Sequence, residues 1–337
     1  MEGTGGQPVT YADLGINVDP PIQDTVLGKG RKFSDLNKKE IVFMVVSGVS
    51  LVACLGLTIQ RMVVVDKSKP DFTFTLVLLF NILFCSYYIS TGIVFEKSYE
   101  LMIFIIGVII VWLYLIVNYA ISDQKGPFKL SRLIIASVLS PIVFVLGSLI
   151  AKNYYDSGNL IFRTVGANAI LQDMCKNMFM FLGLLKLDLQ LGVTLAVLVL
   201  TNGNVLSTRQ IIFLCVVGVL TLVSFLFGHF GVRLENKKLM YIYAALWICL
   251  PAYTVYSIVQ TAEDLQKNTV SGRDSLGIVT FVCCALSICV RGIIVYFGIQ
   301  AYRSFGHGLK EKVYGSLDEL RTAQKSLEGS EPALKIN

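Results

Sequence analysis

The sequence predicts an all-α bundle of about eight membrane-spanning helices with both chain ends in the cytosol, and three observations predict it. Apolar residues make up 54% of the 337-residue chain and charged residues only 15%, against about 25% charged in ordinary soluble domains. Apolar runs of about 20 residues, the length of helix that crosses a bilayer core, recur along nearly the whole chain. Lys and Arg gather on alternate sides of those runs. A soluble fold of this length could not cover so much apolar surface.

The runs are residues 41–59, 72–94, 101–120, 133–151, 178–200, 211–230, 239–259 and 276–299. They are near-continuous rather than alternating, which excludes a β-barrel and leaves helix as the one way to satisfy the backbone in lipid. The fourth run carries Pro141 and the eighth Arg291, yet each keeps enough apolar residues to span. One side of the runs holds 18 Lys and Arg, among them Lys29, Lys97, Arg163, Lys176 and Arg233, and the other holds nine. The richer side is cytosolic by the positive-inside rule, and an even number of spans agrees.

The chain therefore divides into a polar tail, residues 1–33, expected to be disordered, an eight-span domain, residues 34–303, and a cytosolic tail, residues 304–337. Ser34 and Asp35 are N-cap candidates for the first helix. No cleavable signal peptide is expected, and the first span serves as the insertion signal. Residence is a plasma membrane or an endomembrane.

Composition also excludes classes of function. The net charge of +6 lies in short loops beside spans, where it marks topology and lipid headgroup contact rather than nucleic acid. Seven of the eight cysteines fall inside predicted spans, and no Asn-x-Ser/Thr sequon occurs, so a disulfide-stapled ectodomain is excluded. The two histidines, His229 and His307, cannot build a multi-histidine metal centre. Asp188 is the single aspartate of the spans, and no Gly-x-Ser-x-Gly or phosphate-binding loop is present. No enzyme activity, metal or cofactor is expected.

Small residues four apart, Ser224 with Gly228, Cys283 with Ser287 and Ala285 with Cys289, give helix-packing faces. Pro141 and Pro251 fall near the midplane, where each removes a helical hydrogen bond and marks either a hinge or a static bend. Between the first four spans and the last four, no similarity is evident in the letters.

The fifth span is the informative one. Its centre carries Lys186, Asp188 and Gln190, and an ionised side chain at that depth costs at least about 2.5 kcal/mol. Lys186 and Asp188 are two residues apart, about 200° around the helix, so they face different neighbours while Gln190 shares the face of Lys186. The helix is therefore expected in the bundle interior. Depth pairs Asp188 with Arg291 of the eighth span, the two differing by about 5 to 7 Å along the normal. That leaves Lys186 as a surplus cation, neutralised by its surroundings, satisfied by Asn81 or another polar group, or kept for an anionic ligand. The helical pattern also continues upstream, predicting a helix over 167–200 about 50 Å long that projects into the cytosol as a stalk.

The run 181–190, with Lys186-Leu187-Asp188-Leu189-Gln190 at its centre, after Ala167, Asn168, Leu171 and Gln172, resembles a functionally uncharacterised family of eukaryotic multi-pass membrane proteins. The resemblance implies a shared polar signature and brings no substrate.

Leu309, Val313, Leu317 and Leu320 share one helical face, predicting an amphipathic helix after the last span that lies on the membrane or on the bundle. Tyr11-Ala12-Asp13-Leu14 and Tyr314-Gly315-Ser316-Leu317 have the form of cytosolic sorting signals, which makes sorting or scaffold proteins partner candidates beside the lipid bilayer and a small solute. Three readings of function follow. The first is a transporter or channel for a small solute, with the midplane lysine making an anion a candidate and Lys186, Asp188, Gln190, Arg291 and Asn81 forming the pathway. The others are a receptor-like signalling bundle and an accessory or structural subunit.

Overall fold

The computed structural model describes residues 23–25, 28–30, 36–66, 70–121, 127–166, 168–198, 208–267 and 271–314. Eight long helices dominate: α1 (Lys38–Val64), α2 (Pro70–Val94), α3 (Ser98–Ile121), α4 (Pro127–Ser157), α6 (Ala169–Leu198), α7 (Thr208–Arg233), α8 (Lys237–Lys267) and α9 (Ser271–Arg303). Two short helices, α5 (Asn159–Val165) and α10 (Leu309–Tyr314), follow α4 and α9. Seven of the long helices are long and apolar enough to cross a membrane, and α3 contributes a shorter apolar segment, Ser98–Leu113. Apolar side chains such as Val45, Val49 and Val52 on α1 and Tyr241 and Ile248 on α8 face outward, as a lipid-facing surface requires. The chain is a multi-pass integral membrane protein.

Within the tail expected to be disordered, β1 (Gln23–Thr25) pairs antiparallel with β2 (Gly28–Gly30). Ser34 and Asp35 lie outside the described residues. The first helix is capped instead at Asn37, whose N–H donates to the Glu40 carboxylate at 2.9 Å. Glu40 also accepts from the Tyr154 hydroxyl at 2.7 Å, tying the start of α1 to the end of α4.

Two units of the same design make up the bundle. In the first, α1 packs on α2, α2 on α3, α3 on α4 and α4 back on α1; in the second, α6, α7, α8 and α9 close the same ring. The likeness extends to single atoms. At the turn after α2, the Lys97 N–H donates to the Gly92 carbonyl and the Glu96 N–H to the Ile93 carbonyl; after α7, the Asn236 N–H donates to Gly231 and the Glu235 N–H to Val232. These are the two bonds of a Schellman C-cap. The left-handed residue is a glutamate in both, Glu96 at φ 50° and Glu235 at φ 49°, where glycine is the ordinary choice. In the second unit the reason is visible, because the Glu235 carboxylate accepts from the N–H groups of Gly306 and Lys310 at 3.0 and 2.8 Å and so holds α10.

The correspondence continues into the cores. Phe43 meets Phe104 edge-on at 6.1 Å, and Phe181 meets Tyr243 edge-on at 5.9 Å. Gly147 lies against the Phe43 ring and Gly298 against the Phe181 ring, each where a Cβ would stand about 3 Å from a ring carbon. Left-handed Gly158 precedes α5 and left-handed Gly308 precedes α10. Each unit has its own buried core. The similarity between chain halves that the letters hide is thus present in the fold, because packing shape rather than residue identity is kept.

The two units meet where α2 and α3 lie against α6 and α9. Helix α6 is the interior element, with 83% of its apolar 18-residue stretch buried against half or less in the other six candidate spans. It runs unbroken from Ala169 to Leu198, about 45 Å at 1.5 Å per residue. As expected, it is unbroken through residues 174–178 and longer than the roughly 30 Å of a bilayer core; its start is not bare, since α5 and α10 pack against α6 and Cys175 is completely buried. Of the expected amphipathic tail helix, Leu309 and Val313 turn inward onto this cluster, so it lies on the bundle; Leu317, Leu320 and Tyr11 to Leu14 fall outside the described residues. Pro141 and Pro251 sit inside continuous helices, α4 and α8, and neither interrupts them. Gly228 does mark a close approach, since a Cβ there would lie 2.9 Å from Leu185 and 3.0 Å from Tyr243.

Candidate functional site

Helix α6 presents two polar faces, as its spacing requires. Lys186, Gln190 and Thr194, each four residues from the next, look toward the first unit, whereas Asp188 looks into the second. The Gln190 amide donates to the Asn81 carbonyl oxygen of α2 at 2.7 Å, and the Thr194 hydroxyl donates to the Gln190 backbone carbonyl. Asp188 accepts from Arg291 Nε at 2.9 Å, while Arg291 Nη1 donates to the Thr254 hydroxyl at 2.6 Å. Asp188 is 5% and Arg291 2% exposed, so this is a dry ion pair within the second unit.

Lys186 is not a surplus cation. Its ammonium bonds Glu100 Oε1, and Glu100 Oε2 accepts the Thr91 hydroxyl. Lys97 approaches the same Oε1 at 3.6 Å. Glu100 lies two residues after the start of α3, just outside the apolar run 101–120, and the long lysine side chain reaches it from mid-membrane depth. Lys97, in the turn between α2 and α3, also stands over the Phe95 ring at 4.8 Å. Burial holds its ammonium below the ordinary lysine range, with Lys186 adding to the effect and Glu100 opposing it.

This cluster lines a cavity of about 410 Å³ between the two units. The first unit contributes the end of α2, the start of α3, the last turn of α4 and α5; the second contributes the first half of α6, the end of α7 and Val313 of α10. Its ionisable wall holds four cations, Lys97, Lys176, Lys186 and Arg233, against three carboxylates, Glu96, Glu100 and Asp173. Tyr99, Tyr155 and Phe179 supply aromatic surface, and His229 lines it between the rings of Phe225 and Phe230. At the other end of the α2–α6 seam, Phe74, Val77, Leu195 and Leu198 pack together with Cys284 in a hydrophobic cluster.

Of the five pathway candidates named from the sequence, Lys186 lines the cavity. Gln190 and Asn81 continue its polar seam, and Asp188 and Arg291 stand apart from it. Glu100, Lys97 and Thr91 were not legible as site residues; the signal available was a carboxylate two residues before an apolar run, level with the end of a span that carries a lysine.

Neither a curated protein nor a solved structure matches the chain. A family model described as a domain of unknown function, DUF7789, matches residues 27–152 and 165–300. The matched segments divide the chain where the fold divides, the first carrying α1 to α4 and the second α6 to α9. With more than half its length matched, the chain belongs to the DUF7789 family.

Proposed function

We propose that the protein is a transporter or channel for a small solute, entered from the face that carries the 95–97 and 234–236 turns. The observation that carries the reading is the cavity between two like units, lined by a buried ion cluster and continued by the polar seam of Lys186, Gln190, Asn81 and Thr194. Solute sites at the interface of structural repeats are a recurrent transporter design, and ionisable groups at membrane depth mark pathways. Four helices per unit give both units the same orientation in the bilayer, as in parallel repeats. The apolar cluster around Phe74 and Leu195 supports a state open on one side only.

Reconstituted full-length protein is the test. Vesicles loaded with labelled small organic acids and sugars are expected to release at least one class faster than protein-free vesicles, and Lys186→Ala is expected to abolish the difference. Release no faster than from empty vesicles would favour the accessory-subunit reading.

The cavity face is the one richer in Lys and Arg, so we place it, with both chain ends, in the cytosol. Epitope tags at either end should be reached by antibody only after the cytosolic face is opened; labelling of intact cells that carry the protein at the plasma membrane reverses the orientation.

A further inference from the structure

We propose that the cavity between the units binds a small organic monoanion, its charge met by Lys97 and its apolar body laid against Tyr99, Tyr155 and Phe179. The proposal rests on reading the cavity as the solute site and names the class of solute.

The charge follows from the cluster. Glu100 is one carboxylate beside two ammonium groups, and both oxygens are engaged, Oε1 by Lys186 and Oε2 by Thr91. Lys186 is the closer cation and forms a neutral pair with it. Lys97 shares the same oxygen in a longer ion pair at 3.6 Å and stands over the face of one ring, so a single carboxylate serves both ammonium groups. An ammonium so placed gains from an anion that brings its own oxygens. Over the whole wall, Lys97 included, four cations face three carboxylates, and the excess of one matches a single negative charge on the ligand.

The shape follows from the wall. A space of about 410 Å³ lies in the range of small-molecule pockets and exceeds what a hydrated inorganic ion would fill. Tyr99 and Tyr155 stand edge-on at 6.4 Å. Lys176 lies over the Tyr155 ring at 4.5 Å and donates to its hydroxyl, fixing that ring. A flat or branched apolar body with one carboxylate suits this wall better than a sugar, whose hydroxyls would meet aromatic carbon.

Benzoate and benzamide test the charge at nearly constant shape, with purified full-length protein in detergent. Benzoate is expected to raise the unfolding temperature in a concentration-dependent way and to give a saturable heat of binding, and benzamide to do neither. Lys97→Gln should weaken benzoate about ten- to a hundredfold, and Lys97→Arg should stay within about threefold of wild type. The arginine variant carries the test if the glutamine variant fails to fold. Equal binding of benzoate and benzamide, no binding of benzoate, or benzoate binding untouched by Lys97→Gln overturns the proposal. Benzoate binding without solute flux keeps this site and removes transport; flux of neutral solutes without benzoate binding keeps transport and removes this site.

Discussion

Asp188→Asn and Arg291→Leu are each expected to lower the stability of the detergent-purified protein by about 3 to 5 kcal/mol, the usual cost of stranding one partner of a buried ion pair. The pair is nearly sealed from solvent and tied to α8 through Thr254, so water cannot take the place of the missing partner. Combining the two substitutions should recover part of the loss, because no charge is then left alone. Unfolding temperature and the folded fraction on size exclusion are the measures. Losses that add in the double variant would mean that the two residues act separately.

Glu100→Leu is expected to cost as much, and more than Lys186→Leu. Removing the carboxylate takes the counter-ion from two ammonium groups together, while the Thr91 hydroxyl keeps the Tyr87 backbone carbonyl. Removing Lys186 leaves Glu100 with Lys97 and Thr91 still in place, and the vacated space opens to the cavity. The double variant Glu100→Leu with Lys186→Leu should sit between the two single ones. Equal losses in Glu100→Leu and Lys186→Leu would dismiss the shared carboxylate as the organising group.

Helix positions were legible because lipid demands long apolar runs, and the interior place of α6 was legible because Lys186, Asp188 and Gln190 could not face lipid. The Asp188–Arg291 pair was legible too, since residue counting along two straight helices measures depth. Glu100 was not, because an apolar window ends where charge begins and takes no account of how far a lysine can reach. The paired units were hidden for a different reason. The matched positions 139 residues apart (231 minus 92) hold Ile93 against Val232, Leu101 against Met240 and Phe104 against Tyr243, so volume and polarity persist while letters change. The legible trace was Gly-apolar-x-apolar-Glu, at residues 92–96 and again at 231–235. The packing of α5 over α6 had no such trace, as α5 is too short to show a period, whereas the spacing of Leu309 and Val313 did mark the inward face of α10.

The order of residues along the chain gives the two membrane ion pairs different histories during synthesis. Glu100 precedes Lys186 by 86 residues, so when α6 enters the bilayer the first unit, with a core of its own, already offers its lysine a counter-ion. Asp188 has no such host. Its partner Arg291 lies 103 residues downstream, about 5 to 20 seconds later at ordinary rates of elongation. Through that interval the aspartate must stay protonated, solvated at the insertion channel or held by another protein. The second unit therefore cannot close its ion pair until α9, its last helix, has been made, whereas the contact of Lys186 with the first unit can form as soon as α6 arrives.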